Sequence, residues 1–279
     1  MKKSTIFMAG AALVVLGALA RFPVRQAHGQ VDTSQVAAIT TDFVAPVVFQ
    51  GAGPSAAAIQ GVIEEYRVAI GKQDNGSSGP SGGGHREINW DGRDVITTGP
   101  VFDAFLVTRG ALFTTPDGVA FTQATPAGLA VRFNNPSYET IFAPLSNPRL
   151  FSAIGGKVTE VDFFEPGGGN KPATTNGFGA VFADVDQPDG SGPAEKRGNR
   201  HSSTLIEYFG TDGELLFSSF VPASPGSRGL SFLGIVFPDA RIAHVRITSG
   251  NVAPGPDDDG KHDVVMMDDF LYGEPQKLP

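Results

Sequence analysis

The sequence contains no cysteine among its 279 residues. A disulfide framework, a thiolate metal site and a cysteine nucleophile are therefore excluded. Positive charge is also scarce, since 21 lysines and arginines face 29 acidic residues and the formal net charge is −8. An acidic chain repels phosphate groups, so we do not expect this protein to bind nucleic acid.

Glycine and proline are abundant instead, with 36 and 21 copies. Such a composition favours short elements joined by many turns over long helices. Hydrophobic residues make up 41% of the chain and include 21 phenylalanines. This is enough apolar surface to bury a sizeable core, which excludes a wholly disordered protein.

The first twenty residues have the pattern of an export signal. Two lysines precede an apolar run from Ile6 to Leu19, and Ala18 and Ala20 fit a signal-peptidase site. We predict a signal peptide over residues 1–20, with a second small-residue site that would extend it to 29. The run is shorter than the roughly 20 residues that cross a bilayer as a helix. We therefore expect a secreted, extracellular protein without a membrane anchor, and a periplasmic protein is the alternative.

Residues 21–84 fall into three segments of different sequence pattern. Residues 21–54 carry short apolar pieces broken by proline and glycine, which indicates a loosely structured segment. Apolar residues then recur at helical spacing and predict a helix over 55–71, with a strand over 65–70 as the alternative: Ile59, Val62, Ile63, Tyr66 and Ile70. Residues 72–84 are rich in glycine and serine and predict a flexible loop.

From residue 85 to 273 short apolar runs alternate with turn signals, and residues 274–279 form a polar tail. No segments of helix length lie between the runs, so they predict an antiparallel β-sandwich or barrel after one short N-terminal helix. A small domain ending near Leu150 is the alternative to a single one. The expected strands are residues 119–123, 129–133, 158–164, 178–186, 204–209, 215–221, 230–237, 242–248 and 263–272.

Two acidic pairs stand beside apolar strand residues. Asp184 and Asp186 continue the face of Phe178 and Phe182, while Asp268 and Asp269 are expected on opposite faces of the last strand. An unpaired buried carboxylate is costly, so it should meet an arginine, a cluster of backbone donors or a metal ion. We predict these four aspartates as ligands of calcium, which prefers oxygen donors. Pairing with an arginine is the alternative, and the candidates are Arg132, Arg241 and Arg246.

The only tryptophan lies in the stretch Arg86–Gly92. An aromatic ring beside polar residues can stack on a sugar, so Trp90 and Asp91 are candidate ligand-binding residues. Burial of Trp90 in the core is the alternative.

Four stretches together carry a resemblance to a known group: residues 86–92, 177–186, 230–234 and 265–273. They resemble uncharacterised secreted bacterial jelly-roll proteins, similar to the β-sandwich domains of exported proteins with a PEP-CTERM sorting tail. The resemblance implies a jelly roll like that of carbohydrate-binding modules, in which an acidic pair on the last strand often meets a structural calcium. This chain lacks the hydrophobic tail of the sorted members, which favours free secretion.

The function that the sequence predicts is a non-catalytic binding module for an extracellular glycan or cell-surface polymer. A glycan hydrolase using paired carboxylates, such as Asp184 or Asp186 with Asp268 or Glu87, is one alternative. A structural or adhesion matrix protein without a small ligand is the other. The G-x-S-x-G stretch at residues 79–83 lacks the strand and helix that a serine nucleophile needs, so no catalytic set is expected.

Overall fold

The computed structural model describes residues 44–187, 203–224, 226–258 and 261–278. The predicted signal peptide lies outside these ranges. The described residues belong to one compact unit, Val44–Pro279. Strands from before and after Leu150 pair with each other in both large sheets, so the described chain is not divided there.

The larger sheet, sheet A, has eight strands, and all its pairings are antiparallel. Seven of them follow one another across the sheet: β1 (Val47–Gly53), β13 (Leu230–Val236), β10 (Gly177–Ala183), β15 (Met266–Gly273), β7 (Leu150–Ile154), β6 (Ala120–Ala124) and β3 (Val95–Ile96). The eighth, β2 (His85–Ile88), pairs with the second half of β15, while β7 contacts its first half at Met267.

Sheet B has six antiparallel strands. In spatial order they are β12 (Leu215–Phe220), β11 (Leu205–Phe209), β14 (His244–Thr248), β8 (Val158–Phe163), β5 (Ala111–Thr114) and β4 (Val101–Phe102). A small third sheet pairs β9 (Ala173–Thr174) with β16 (Gln276–Lys277). The described protein is mostly β and antiparallel, as the sequence predicts.

One hydrophobic cluster lies between sheets A and B. Phe163 of sheet B contacts Phe178 and Tyr272 of sheet A at ring distances of 6.2 and 5.3 Å. Phe113 of sheet B likewise lies 5.9 Å from Phe151 of sheet A. These contacts join the two sheets through their facing sides.

A second cluster covers the other face of sheet A. Its helices are α1 (Ala56–Gly71), α3 (Pro126–Phe133) and α4 (Tyr138–Ile141), while α2 (Leu106–Arg109) has no buried residue. Sheet A is therefore covered on both sides, which explains why β10, β13 and β15 are buried along nearly their whole length. The strands of sheet B alternate buried and more exposed residues, so sheet B has an outer face.

The structure differs from the predicted elements in several places. Residues 129–133 form the end of helix α3, not a strand, and α2 and α4 were not predicted. The segment expected to be loosely structured contains the edge strand β1, whose seven residues pair with β13. The predicted strand over 178–186 ends at Ala183. Helix α1 agrees with its prediction and buries Ile59, Ile63, Tyr66 and Ile70.

The glycine- and serine-rich loop is held by buried side chains, which the prediction of a flexible loop did not anticipate. Arg86 donates hydrogen bonds to the carbonyl oxygens of Gly76, Ser78 and Gly79 at 2.9 Å. The Ser81 N–H donates to a carboxylate oxygen of Glu274. The loop is thereby fixed to the end of β15.

Candidate functional site

The acidic pair of the last strand lies at a β-bulge. In the pairing of β10 with β15, Ala180 is opposite Phe270, but the next residue, Val181, is opposite Asp268. Asp269 is therefore the extra residue on β15, and the regular alternation of side chains is interrupted there. The prediction that Asp268 and Asp269 lie on opposite faces assumes that this alternation continues through the pair, which it does not.

The carboxyl groups of Asp268 and Asp269 both accept hydrogen bonds. Asp268 accepts from the backbone N–H of Leu145 at 2.6 Å and from that of Asp269 at 2.9 Å. Asp269 accepts from the Ser146 hydroxyl at 2.8 Å. The pair lies where the neighbour of β15 changes from β7 to β2, so residues 145 and 146 fill the gap between those two strands.

Burial raises the pKa of both carboxyl groups, that of Asp268 well above its ordinary value. The negative charges of Glu87 and Asp91 further raise the pKa of Asp269. The pair is satisfied by two backbone donors and a hydroxyl.

Trp90 is part of the core, so its prediction as a ligand-binding residue is wrong. Its side chain is 1% exposed and stacks on Phe151 at 3.7 Å with an interplanar angle of 7°. Asp91 is half-buried and holds the neighbouring loop, since one of its carboxylate oxygens accepts from the Arg149 N–H at 3.2 Å. A sugar on the surface cannot reach the face of Trp90.

A second acidic cluster forms after β10. Asp184 has left the strand and has a left-handed backbone with φ of 69°. Burial raises its pKa to about 8, with smaller contributions from Asp186, Asp258 and Asp263. Burial likewise raises the pKa of Asp263 to about 6. One oxygen of Asp263, Oδ1, is buried and has no hydrogen-bond partner among the described residues.

The four predicted calcium ligands thus lie in two separate clusters. Asp184 and Asp186 lie with Asp258 and Asp263, whereas Asp268 and Asp269 lie with Glu87 and Asp91. Within the described ranges, no group of three or more histidine or acidic side chains is arranged to hold a metal ion. The predicted single site is therefore not formed by these four residues.

A third site, which we call the sheet B cavity, was not predicted. It has a volume of about 500 Å³, and its lining is largely apolar. Phe164 and Phe209 lie in this lining together with Asp162, His244 and Arg246. The polar residues belong to adjacent strands, because His244 of β14 is directly opposite Asp162 of β8 and Phe209 of β11.

Two contacts between basic and acidic side chains fix the positions of the polar groups in the cavity. His244 Nδ1 lies 2.8 Å from Asp162 Oδ1, and the ring of Phe209 lies 5.5 Å from that of His244. Arg246 donates from Nε to Glu160 Oε1 at 2.9 Å. The sequence shows the alternation of Glu160 with Asp162 and of His244 with Arg246, but it does not show that β8 and β14 are neighbours.

No protein-family model, curated protein or solved structure matches the chain. In the described ranges no helix is long and apolar enough to span a membrane.

Proposed function

We propose that the protein is a non-catalytic binding module for an extracellular glycan or cell-surface polymer. The observation that carries this proposal is the sheet B cavity, an open space of about 500 Å³ with an apolar lining and a few ordered polar side chains. Ligand sites in proteins typically combine these features. The cavity also lies on the side of sheet B away from the core, so a polymer can pass over it.

The chemistry of the cavity suits a sugar. A sugar ring has an apolar C–H face that packs on aromatic side chains, here Phe164 and Phe209. Its hydroxyl groups both donate and accept hydrogen bonds. The carboxylate of Asp162 is an acceptor, and an imidazole such as that of His244 can do either through its second nitrogen.

We assign the scaffold to the β-sandwich class and, more narrowly, to jelly rolls similar to carbohydrate-binding modules. The support is the pair of antiparallel sheets joined by a common core. The narrower assignment rests on the resemblance of residues 86–92, 177–186, 230–234 and 265–273. Secretion rests on the signal-like pattern of residues 1–20, which precede the described chain.

We also propose that calcium binds in the acidic cluster after β10, with the carboxylates of Asp184 and Asp263 and nearby backbone carbonyls as ligands. The buried Oδ1 of Asp263 without a partner is an oxygen that a cation would satisfy. Two carboxylates would contribute, and backbone carbonyls and water would complete the six to eight ligands. The oxygens of Asp268 and Asp269 are already hydrogen-bonded, so that pair is the poorer site.

Thermal unfolding with calcium chloride or with EDTA tests the ion site. We expect calcium to raise the melting temperature of the wild-type chain but not that of Asp184→Asn. Asp269→Asn is the control and should respond to calcium like the wild type. Equal melting temperatures of the wild type in calcium and EDTA would contradict the site.

The hydrolase alternative finds no support in the described residues. Glycosidases need two carboxyl groups about 5 to 10 Å apart on either side of the bond to be cut. The proposed partners Asp184 and Asp268 lie in different clusters.

Retention on a panel of immobilised polysaccharides tests the binding function. We expect the full chain to be retained, and Phe209→Ala to weaken retention about tenfold because it removes one of the three phenylalanines that line the cavity. Phe220→Ala is the matched control, since Phe220 is an exposed phenylalanine on β12 that does not line the cavity. If no polysaccharide retains the wild type, the matrix-protein alternative becomes the better description.

A further inference from the structure

We infer that the sheet B cavity takes an uncharged sugar and rejects acidic polysaccharides such as uronic acid polymers. This inference rests on the proposed binding function and concerns the class of ligand. It depends on the charged groups that face the cavity and on how each of them is already paired.

Two charged side chains line the cavity, Asp162 and Arg246, and His244 is the third titratable group. Arg246 is the one cation in this lining that is charged at every physiological pH. An acidic sugar would need a positive group that is free to receive its carboxylate, and Arg246 is the obvious candidate.

Arg246 is already held by the protein. Its Nε donates to Glu160 Oε1 at 2.9 Å, and Nη2 of the same guanidinium contacts the same oxygen. Glu207 lies opposite Arg246 on the other side, since the three residues share one row across β11, β14 and β8. Arg246 is therefore flanked by an acidic residue on each neighbouring strand.

The remaining polar pair also disfavours an anion. Asp162 places an acidic side chain in the lining, where it contacts His244. An incoming carboxylate would meet Asp162 and would have to displace Glu160 from Arg246. Uncharged hydroxyl groups meet neither obstacle and can donate to Asp162.

The experiment measures binding of the full chain to soluble neutral glucans and to polygalacturonate, with and without 0.5 M sodium chloride. We expect neutral polymers to bind at least tenfold more tightly than the acidic one, with little effect of salt, because salt screens charge contacts and not apolar packing. Stronger, salt-sensitive binding of the acidic polymer would overturn the inference and leave the binding function intact. Binding of neither class would remove both.

The whole chain is acidic and repels an acidic polymer at long range. A control must therefore separate this general repulsion from the effect of the cavity. Glu160→Gln releases Arg246 and should raise affinity for the acidic polymer at least threefold while affinity for neutral glucan stays the same. Glu139→Gln removes one equal charge from the exposed surface of α4, away from the cavity, and should not raise it. If affinity for the acidic polymer rises equally in both variants, or does not rise in Glu160→Gln, the pairing of Arg246 with Glu160 is not what excludes acidic sugars.

Discussion

Arg86 shows how much of this structure depends on single charged residues. Its side chain is fully buried and forms a two-pronged ion pair with Glu274, with both distances 2.7 Å. The same guanidinium donates to four backbone carbonyl oxygens, three in the glycine-rich loop and that of Thr108. Arginine is suited to this position because it offers five N–H donors in a rigid plane.

We expect Arg86→Met to destabilise the protein by about 3 to 5 kcal/mol, because it leaves the buried carboxylate of Glu274 without its positively charged partner. Denaturant unfolding measures this change. Arg241→Met is the control and should cost about 1 kcal/mol or less, since Arg241 pairs with Asp239 at the surface. A similar cost for both would mean that burial of the Arg86–Glu274 pair contributes nothing.

The raised pKa of Asp184 predicts that the stability of the protein depends on pH. Burial raises its pKa from 3.8 to about 8 in the folded protein, so between about pH 4 and 8 the folded state binds a proton that the unfolded chain has lost. The free energy of unfolding therefore falls as pH rises through this window. Asparagine needs no proton and is among the residues that tolerate a left-handed backbone.

We accordingly expect Asp184→Asn, measured in EDTA, to be more stable than the wild type at pH 7 by on the order of 1 to 3 kcal/mol. The advantage should disappear below about pH 3, where Asp184 is protonated in both states. Urea unfolding at several pH values provides the measurement. A variant that is less stable at pH 7 would show that Asp184 is ionised and compensated in the folded protein.

At the scale of elements, two cross-strand glycines make room for an aromatic ring of α1. Gly179 of β10 is paired with Gly234 of β13, and Tyr66 lies across both. A Cβ atom on Gly234 would come within 2.8 Å of the Tyr66 ring. The two glycines thus allow α1 to lie close to sheet A.

Gly234→Ala should therefore destabilise the protein by about 1 to 3 kcal/mol through overpacking. Gly61→Ala makes the same chemical change in the middle of α1, where an added Cβ meets nothing within 4 Å. It should stabilise the protein by up to about 1 kcal/mol. Calorimetric unfolding of both variants checks the opposite signs, and a stabilising Gly234→Ala would rule out the close approach of Tyr66.

The N-terminal caps of α3 and α1 differ, so mutating them should change stability by different amounts. The Thr125 hydroxyl at the start of α3 accepts from the Gly128 N–H at 3.1 Å, whereas Ser55 at the start of α1 makes no such side-chain hydrogen bond. Thr125→Ala should cost about 1 kcal/mol and Ser55→Ala only a few tenths. Chemical denaturation distinguishes these values, and equal costs would show that the cap at Thr125 is not stabilising.

Helix α3 also shows where sequence periodicity fails. The run Leu129–Phe133 is too short to separate a strand from a buried helix. Local signals were present, since Thr125 and Pro126 start the helix and Asn134 ends it with a left-handed backbone. By contrast, the predicted strands at 158–164, 204–209, 230–237 and 242–248 are found within one or two residues, because turn residues mark their ends.

At the scale of the whole molecule, the antiparallel β class and helix α1 could be predicted, but the sites could not. The bulge that joins Asp268 to Asp269 depends on the register between β10 and β15. The cavity depends on β8, β11 and β14 being neighbours, although His244 follows Asp162 by 82 residues and Arg246 follows Glu160 by 86 along the chain. Periodicity identifies each strand, but it carries no information about which strands become neighbours.

The position of β15 has a consequence for synthesis. This strand lies inside sheet A, between β10 and the pair β2 and β7, yet it is made after every other strand of that sheet. On the ribosome, a nascent chain that has reached only residue 260 carries β2, β7 and β10 without the strand that joins them. Sheet A therefore cannot close until β15 has been made, and until then the edges of β2, β7 and β10 that pair with it remain open to chaperones.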